Sequence, residues 1–600
     1  MSQSEKIQER SQADKKYTWA INDIYLNDQA WKNDYNEVKK CIPIISSYKG
    51  KLSDSSESLY SYLKLNDKIT VLFDNLINYA HRKRDEDNRN SVYQEMCGQL
   101  SALISEVSDV SSFEIPEILN IDDSTLDKFY SENAELGMYQ TYLNRLKKRK
   151  EHILSEAEER IMALAGQMKE APDNIYSVFN DAELEFPDAI DSNGKKHQVT
   201  HGTYIPLVRS DDRILRKSAF ESLYSVYGKY KNTLASMLSA QTKQLSFNSK
   251  ARRYESSLHA SLDANEVPVS VYYNLIDAVN NNMEYMYKYV RLRKKLMNLD
   301  ELHMYDLYTP VINNCDIKIN YEDAKKTVYE ALRPMGEKYL NILKDGFENR
   351  WIDVYENIGK TSGAYSAGAR IHPFVLLNHK DTLNCEFTLA HEMGHAIHSY
   401  LSNREQPVIY SEYVIFVAEV ASTCNEALLM EYLLKNTNDK MHKAYLINYF
   451  LEQFRTTLYR QTMFAEFELK INQMTENGEG ITADNLSEIY GNLNKLYFGD
   501  DIVIDDEIKL EWARIPHFYY DYYVYQYATG YSAAIALSRK ILNEGESSTD
   551  KYIEFLSGGC SQTPIELLKI AGVDMTTQQP VNEALKIFNE LIDELENLLS

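Results

Sequence analysis

The scarcity of residues that break helices constrains the fold of this chain more than any other feature of its sequence. Only 22 of the 600 residues are glycine and 13 are proline, so long stretches can continue as helix without interruption. Between Tyr60 and Tyr79, for example, apolar residues recur at the three- and four-residue spacing of one helix face. The pattern predicts a mainly α fold, a large multi-helical body with little β-structure.

Two short segments interrupt the helical pattern and predict the β-structure. In the first, from Leu184 to Ile205, the residues Asp-Ser-Asn-Gly at 191–194 separate two apolar stretches, as in a β-hairpin. The second lies between residues 360 and 380, where glycines punctuate the chain. There, the run from His372 to Asn378 is typical of a short strand. We therefore expect a hairpin and a further strand among the helices.

The length of the chain predicts more than one folding unit. A chain of 600 residues is too long for one simple core, so we expect at least two domains or a helical assembly with sub-domains. The pattern of residues 1–115 predicts helical hairpins, and a second unit follows over 116–200. This second unit includes a charged helix from Glu135 to Met168. One face of that helix is apolar and consists of Leu143, Leu146, Ile153, Ile161, Leu164 and Met168.

Charge and terminal sequence exclude several classes of protein. The formal net charge is -24 and the sequence pI is about 5.1, so the surface repels nucleic acid and anionic lipid, and we expect neither as a partner. The six cysteines are scattered without a C-x-x-C pair, which argues against a disulfide framework or a cysteine zinc site. The N-terminal residues are polar, and no apolar run approaches the roughly 18 residues of a membrane span. These features predict a cytoplasmic protein.

The chemistry of the chain is indicated by the run Thr388 to His395, which contains H-E-x-x-H within a helical pattern. Histidines four residues apart lie on one face of a helix, about 6 Å apart along its axis. His391 and His395 can therefore bind one zinc ion together. Glu392 is turned by about 100° from His391 and can reach a water without binding the metal. The motif thus predicts a zinc hydrolase with Glu392 as its base.

A second helix offers the third protein ligand that a zinc site needs. The stretch Tyr413 to Ala421 is almost wholly apolar except for Glu419. Because an unpaired carboxylate in a buried helix is costly, we expect Glu419 to bind the metal or to pair with an Arg or Lys. Glu426 lies two turns further along the same face. It either orients a ligand histidine or pairs with a nearby cation.

A late aromatic segment, Ile515 to Tyr527, is the third candidate. It contains His517 and a dense series of tyrosines, side chains that can donate hydrogen bonds to a developing oxyanion without a fixed charge. Tyr522 and Tyr525 are three residues apart and would share one face of a helix. The ordinary alternative is that these rings simply pack between helices.

These residues resemble those of oligoendopeptidase F, a family in the thimet oligopeptidase superfamily of zinc metallopeptidases. The runs Phe387–Tyr400 and Phe416–Glu426 are similar to the active-site helix and the third-ligand helix of that family. Other similar segments are Trp19–Tyr25, Leu302–Tyr308, Arg350–Asn357 and Ser362–Ser366. The resemblance therefore extends over nearly the whole chain.

The resemblance implies one Zn²⁺ per chain, with His391, His395 and Glu419 as ligands and Glu392 as general base. It implies that Tyr522, Tyr525 and, at a different offset, His517 bind the substrate carbonyl and the oxyanion. The ranges it implies are an N-terminal helical region (1–115), an oligopeptidase N-terminal domain (116–200) and a catalytic domain (201–595).

The resemblance also implies a two-lobed helical body whose deep central channel admits short peptides. A small sheet or hairpin would lie near the active site. Within it, the loop Gly363–Tyr365 and the strand His372–Asn378 would pair with the substrate backbone.

The expected activity is zinc-dependent hydrolysis of internal bonds in short, unstructured peptides. A helical metallocarboxypeptidase also uses H-E-x-x-H with a downstream glutamate, and it is the nearest alternative. A zinc-stabilised peptide-binding protein without turnover is the alternative from a different class. The sequence does not indicate the oligomeric state.

Overall fold

The computed structural model describes residues 7–312 and 318–600; the polar N-terminal residues 1–6 lie outside these ranges. The described residues form a mainly helical protein, as predicted. In the first part of the chain the α-helices are α1 (Asp28–Ser47), α2 (Ser56–Glu86), α3 (Ser91–Val110), α4 (Glu114–Asn120), α5 (Asp123–Glu132), α6 (Gln140–Lys148), α7 (Glu156–Lys169), α8 (Ala171–Val178), α9 (His201–Val208), α10 (Arg213–Ala251), α11 (Ser257–Asp263), α12 (Val269–Asn280) and α13 (Met283–Leu296).

The second part of the chain is helical almost to its end. Its helices are α14 (Tyr321–Ala331), α15 (Gly336–Glu348), α16 (Leu383–Glu405), α17 (Ile415–Asn436), α18 (Lys440–Gln453), α19 (Arg460–Glu476), α20 (Ala483–Phe498), α21 (Tyr525–Glu544), α22 (Glu546–Leu556), α23 (Pro564–Ile570) and α24 (Gln579–Leu599). Among the described helices, none combines the length and the apolar character needed to cross a membrane.

The strands are short and form three small sheets in the described chain. They are β1 (Ala189–Ile190), β2 (Lys196–His197), β3 (Leu302–His303), β4 (Ile352–Asp353), β5 (Tyr365–Ala367), β6 (Phe374–Leu376) and β7 (Ile502–Val503). Strands β1 and β2 are the predicted hairpin, and Gly194 (φ 78°) lies in its turn. The predicted strand after His372 is β6. It pairs with β4 in parallel and with β5 antiparallel, so β5 lies at one edge of the sheet.

Two compact units divide the chain. The first consists of Met1–Lys150, Ile317–Leu429 and Leu537–Gly572, and the second of Glu151–Asp316, Met430–Ala536 and Val573–Ser600. The core of the first unit combines the buried faces of the N-terminal helices with Phe374 and Leu376 of β6. The predicted ranges 1–115, 116–200 and 201–595, and the predicted channel, stay predictions.

The single helix predicted from Glu135 to Met168 is wrong. The segment consists of a 3-10 turn, α6, a second 3-10 turn and then α7. The break has a local cause, because the Ser155 side chain accepts a hydrogen bond from the backbone N–H of Glu158 and starts a new helix there. The predicted apolar face consequently does not continue into a core: Ile161, Leu164 and Met168 are 63%, 74% and 71% exposed.

The sheet β4–β6–β5 packs against α16, the helix that contains H-E-x-x-H. Helix α15 also approaches α16 closely, because a Cβ atom at Gly346 would lie 2.6 Å from the end of the Met393 side chain. These contacts place α16 between a small sheet and a helix within the first unit. The predicted small sheet near the H-E-x-x-H helix is therefore present.

Candidate active site

Helix α16 holds the H-E-x-x-H residues in the predicted conformation. The helix begins after Thr382, whose side chain accepts a hydrogen bond from the backbone N–H of Cys385. It then continues without interruption past His391 and His395 to Glu405. Because the two histidines are one turn apart, both imidazoles project from the same face.

Helix α17 lies against α16 because Gly394 has no side chain. A Cβ atom at Gly394 would lie 2.6 Å from the Cα atom of Ser422 and 2.7 Å from the carbonyl oxygen of Ala421. Both neighbours are backbone atoms and have no freedom to move aside. Glycine between Met393 and His395 is therefore what lets the two helices approach closely.

The close approach brings three donor atoms together. The Nε2 atoms of His391 and His395 are 3.2 Å apart, and Oε2 of Glu419 lies 3.4 Å from the first and 3.6 Å from the second. Ligands at about 2.0–2.1 Å from a tetrahedral zinc ion are about 3.3 Å from one another. The three residues thus fit a metal ion with two nitrogen ligands and one oxygen ligand, and they leave a fourth position open. They are the group of possible metal ligands that the described residues contain.

The hydrogen bonds of the two imidazoles direct their Nε2 atoms toward the centre of this triangle. Nδ1 of His391 donates to Oε1 of Glu426 at 2.5 Å, and His395 hydrogen-bonds to the backbone of Ala418. Such partners fix the tautomer and orientation of metal-binding histidines. This contact fits the first of the two alternatives that the sequence left open for Glu426, the orientation of a ligand histidine.

Glu419 differs in one respect from the sequence-based expectation. Its apolar neighbours predict a buried carboxylate, but its side chain is 35% exposed. It therefore needs no Arg or Lys partner for burial. Its Oε2 atom contacts the two histidines and the hydroxyl of Ser422.

Glu392 has the surroundings of a proton acceptor. The residue is buried, and its Oε2 atom has no hydrogen-bond partner. Burial raises the pKa of Glu392 to about 7, and the negative charge of Glu419 adds to this shift while His391 opposes it. A carboxyl group whose pKa lies near neutrality can both take up and release a proton at neutral pH.

The other histidines near the motif have structural partners. His398 stacks on Tyr413 with 3.7 Å between ring centroids, as expected of a structural residue rather than a fourth ligand. His372 stacks on Trp351, and His379 hydrogen-bonds to the carbonyl group of Ile319. Only His391 and His395 of this histidine-rich stretch therefore converge.

Asn425 contributes to the site and was missed by sequence reasoning. It is completely buried, its Nδ2 donates to the carbonyl group of Ala390, and its Oδ1 accepts from the hydroxyl of Tyr339. It thereby joins α15, α16 and α17 directly behind the triangle. Its position next to Glu426 in an apolar helix is the only sequence signal that could have indicated this role.

The structure does not place Tyr522 and Tyr525 as the spacing predicts. Helix α21 begins at Tyr525, whereas Tyr522 precedes the helix and has a left-handed backbone (φ 59°). The two tyrosines therefore do not share a helix face. Both are 1% exposed and pack against the ring of Tyr272. The hydroxyl of Tyr522 lies 3.0 Å from Oγ of Ser257, so this donor already has a partner.

The accessible aromatic side chains of this segment surround His517 instead. His517 is half-buried, and the ring centroids of Tyr520, Tyr523 and Tyr527 lie 5.4, 6.4 and 6.0 Å from its own. Burial lowers the pKa of His517, which favours the neutral imidazole. The segment thus brings one imidazole and three phenol rings together, whereas Tyr522 and Tyr525 are buried against Tyr272.

Comparison with known proteins identifies relatives of the whole chain. A family model described as Peptidase family M3 matches residues 207–587, and a model described as Oligopeptidase F matches residues 117–186. Oligopeptidase PepF of Bacillus subtilis is 46% identical over 99% of this chain and 89% of its own length. A plasmid-encoded oligoendopeptidase F of Lactococcus lactis subsp. cremoris is 39% identical, and the similarity covers 98% of each chain.

Solved structures share the fold. The crystal structure of oligoendopeptidase-F from Enterococcus faecium has a TM-score of 0.74 and 37% identity, covering 95% of this chain and 99% of that one. A crystal structure of a protein from Chlamydophila abortus has a TM-score of 0.93 and 36% identity, covering 99% and 100%. The fold and the sequence relationship therefore agree over almost the full length.

Proposed function

The chain belongs to peptidase family M3, and we propose that it is a zinc-dependent oligoendopeptidase that cleaves internal bonds of short, unstructured peptides. The observation that carries the proposal is the convergence of His391, His395 and Glu419 next to Glu392 on α16. The names of the relatives, oligopeptidase and oligoendopeptidase F, support the substrate class. Short peptides are thus the proposed partners, with neither nucleic acid nor membrane involved.

Zinc is the metal that best suits this set of ligands. Two neutral imidazoles and one carboxylate, with one position left open, are typical of catalytic zinc sites. When bound, zinc supplies Lewis acidity, which polarises a carbonyl oxygen and makes a water molecule a stronger acid. Glu426 and the backbone of Ala418 keep the two imidazoles in the orientation that binding requires.

Glu392 is the proposed general base and general acid. Its carboxylate takes a proton from the attacking water as the new C–O bond forms at the scissile carbonyl carbon. It then delivers that proton to the amine as the C–N bond breaks. The same carboxyl group therefore both takes up and releases the proton. Its buried position, with no hydrogen-bond partner at Oε2, suits a group that takes up a proton there.

Donors from the late aromatic segment are proposed to stabilise the oxyanion, as the resemblance implies. We assign this role to His517 and to the tyrosines around it, because these side chains are only partly buried. Tyr522 and Tyr525, which the sequence indicated, are assigned a packing role, since both are buried against Tyr272. Neutral donors that are held in place stabilise charge that develops during reaction.

The edge strand β5 offers a place for the substrate backbone. In the sheet β4–β6–β5, the inner strand β6 pairs on both sides, whereas β5 has a second edge without a described strand. We propose that an extended peptide adds to this edge by backbone hydrogen bonds, which accept many sequences. This arrangement suits a peptidase with broad specificity for short peptides.

Cleavage of a peptide library, with and without a chelator, tests the proposal. We expect internal cuts that stop when the chelator removes the metal and that return when Zn²⁺ is added. Sequencing of the products distinguishes the activities. Single C-terminal losses would indicate a carboxypeptidase, and intact peptides in the presence of Zn²⁺ would indicate a protein that binds without turnover. Either outcome would overturn the proposed endopeptidase activity.

A further inference from the structure

The turn that precedes α21 has an unusual backbone. Asp521 and Tyr522 are consecutive and both have left-handed conformations, with φ of 53° and 59°. Such conformations are unfavourable for residues other than glycine, and they persist only where surrounding contacts hold them. The same turn connects His517 and Tyr520 on one side to Tyr523 and Tyr527 on the other. Its geometry therefore sets the relative positions of the accessible donors.

Side chains from two helices hold the first half of the turn. Nε2 of Gln241 in α10 donates to the carbonyl oxygen of Tyr519 and to Oδ1 of Asp521, at 3.1 and 2.9 Å. The hydroxyl of Ser261 in α11 donates to the carbonyl oxygen of Asp521 at 2.6 Å. These contacts leave the backbone N–H of Tyr522 as the next group in the turn that needs a partner.

Glu468 in α19 supplies that partner. Its Oε1 atom accepts a hydrogen bond from the backbone N–H of Tyr522 at 2.7 Å. Glu468 is 1% exposed, and its Oε2 atom has no hydrogen-bond partner. Among the described residues, no lysine or arginine forms an ion pair with it.

Burying a carboxyl group without a cation partner costs free energy. Burial raises the pKa of Glu468 to about 8, and the nearby charge of Asp521 adds to the shift while the Tyr522 hydrogen bond opposes it. An apolar side chain of similar size would fill the same space without this penalty. The contact with the left-handed turn is the one task that the structure shows for Glu468.

We propose that Glu468 is a positioning residue: its carboxyl group holds the amide of Tyr522 and thereby fixes the left-handed turn that orients His517 and the tyrosines around it. The inference rests on the proposed function, since it concerns how the donors of that reaction are oriented. Glu468 itself does not contact the substrate in this role.

Two substitutions separate the hydrogen bond from the packing. Glu468→Gln keeps an oxygen that accepts from the Tyr522 amide, whereas Glu468→Met fills a similar volume and has no such acceptor. Glu466→Met is the matched control. Glu466 is also a mostly buried carboxylate of α19, but it accepts from Tyr497 and Asn280 rather than from the turn.

Activity is measured on the zinc-loaded variants with a quenched fluorescent peptide. We expect Glu468→Met to lower kcat about 100-fold with KM changed less than about threefold, because misplaced catalytic groups act on the chemical step. Glu468→Gln should stay within about fivefold of the unmodified protein in kcat. The control Glu466→Met should retain kcat even where its melting temperature falls.

Hydrogen exchange of the segment 515–527, measured on the metal-free chain, does not depend on catalysis. Exchange at the Tyr522 amide should be at least about tenfold faster in Glu468→Met than in the unmodified protein, and unchanged in Glu468→Gln and Glu466→Met. Unaltered exchange in Glu468→Met, or equal loss of kcat in Glu466→Met, would overturn the inference. If the unmodified protein cleaves no peptide, the proposed function fails, while the exchange data still decide whether Glu468 holds the turn.

Discussion

Two regions of the chain carry the proposed chemistry, and they specify their geometry in different ways. In the pair α16–α17, the positions of His391, His395 and Glu419 follow from continuous helices that meet at Gly394. In the segment 515–527, the chain leaves helical structure, turns through two left-handed residues and re-enters a helix at Tyr525. The first region is regular, whereas the second depends on contacts from distant helices.

The difference determines which substitutions matter in each region. In a regular helix, the spacing of residues along the sequence determines the distances between their side chains. Two such helices in close contact therefore suffice to bring the three donor atoms within 4.8 Å of one another. The conformation of a strained turn is not determined by its own backbone hydrogen bonds. Side chains from other helices, such as Glu468 and Gln241, must hold it. We therefore expect large effects from substitutions of the proposed base and metal ligands in α16 and α17, and graded effects from substitutions in the turn.

The largest expected effect tests the helix region at Glu392. Glu392→Gln removes the proton acceptor but none of the three metal donors, so kcat should fall about 10³- to 10⁴-fold while zinc stays bound. Peptide hydrolysis and metal analysis of the same sample measure both quantities. Glu386→Gln, a change to another buried carboxyl group of α16, is the matched control and should keep normal turnover. Near-normal kcat in Glu392→Gln would remove Glu392 from the mechanism.

A smaller effect is expected at the residue that orients His391. Glu426→Gln weakens the hydrogen bond to Nδ1 of His391, so zinc affinity should fall about 10- to 100-fold. Competition with a chromophoric chelator measures the affinity. Glu405→Gln, at the end of α16, is the control and should bind zinc normally. If Glu426→Gln bound zinc as tightly as Glu405→Gln does, the contact between Glu426 and His391 would not support metal binding.

The same contrast explains how much could be predicted from the sequence. The helical fold and the hairpin at Gly194 follow from periodicity and turn residues, which act locally, and the four-residue spacing places His391 and His395 on one face of α16. The convergence of Glu419 with them depends instead on the packing of α17 against α16 at Gly394. The break before α7 was missed because one Ser155 cap outweighed the apolar spacing on both sides. Spacing failed for Tyr522 and Tyr525 because it assumes a continuous helix, and the contacts of Gln241, Ser261 and Glu468 with the turn are set only by tertiary folding.

A stability effect is expected where the two helices meet. Gly394→Ala forces a methyl group against the backbone at Ala421 and Ser422, so we expect a loss of about 2 kcal/mol in the free energy of unfolding and weaker zinc retention. Gly98→Ala in α3 is the control, because nothing lies within 4 Å of the added Cβ atom there. That change should be neutral or stabilise the protein by up to about 1 kcal/mol. Thermal melting and dialysis followed by metal analysis test both variants.

The smallest expected effect is the most informative for the aromatic segment. Tyr522→Phe removes a hydroxyl that is buried against Ser257, so stability should fall by about 1 kcal/mol while kcat stays within about twofold. Tyr523→Phe and Tyr527→Phe remove the hydroxyl groups of two partly buried tyrosines beside His517, and at least one of them should lower kcat about tenfold or more. Steady-state kinetics on zinc-loaded variants with matched metal content distinguish the two groups.

A large kcat loss in Tyr522→Phe, with none in the other two variants, would contradict this prediction. It would indicate that Tyr522, as the sequence spacing suggested, donates to the oxyanion. It would also mean that the turn rearranges when substrate binds, because the Tyr522 hydroxyl would have to leave Ser257 to reach an oxyanion.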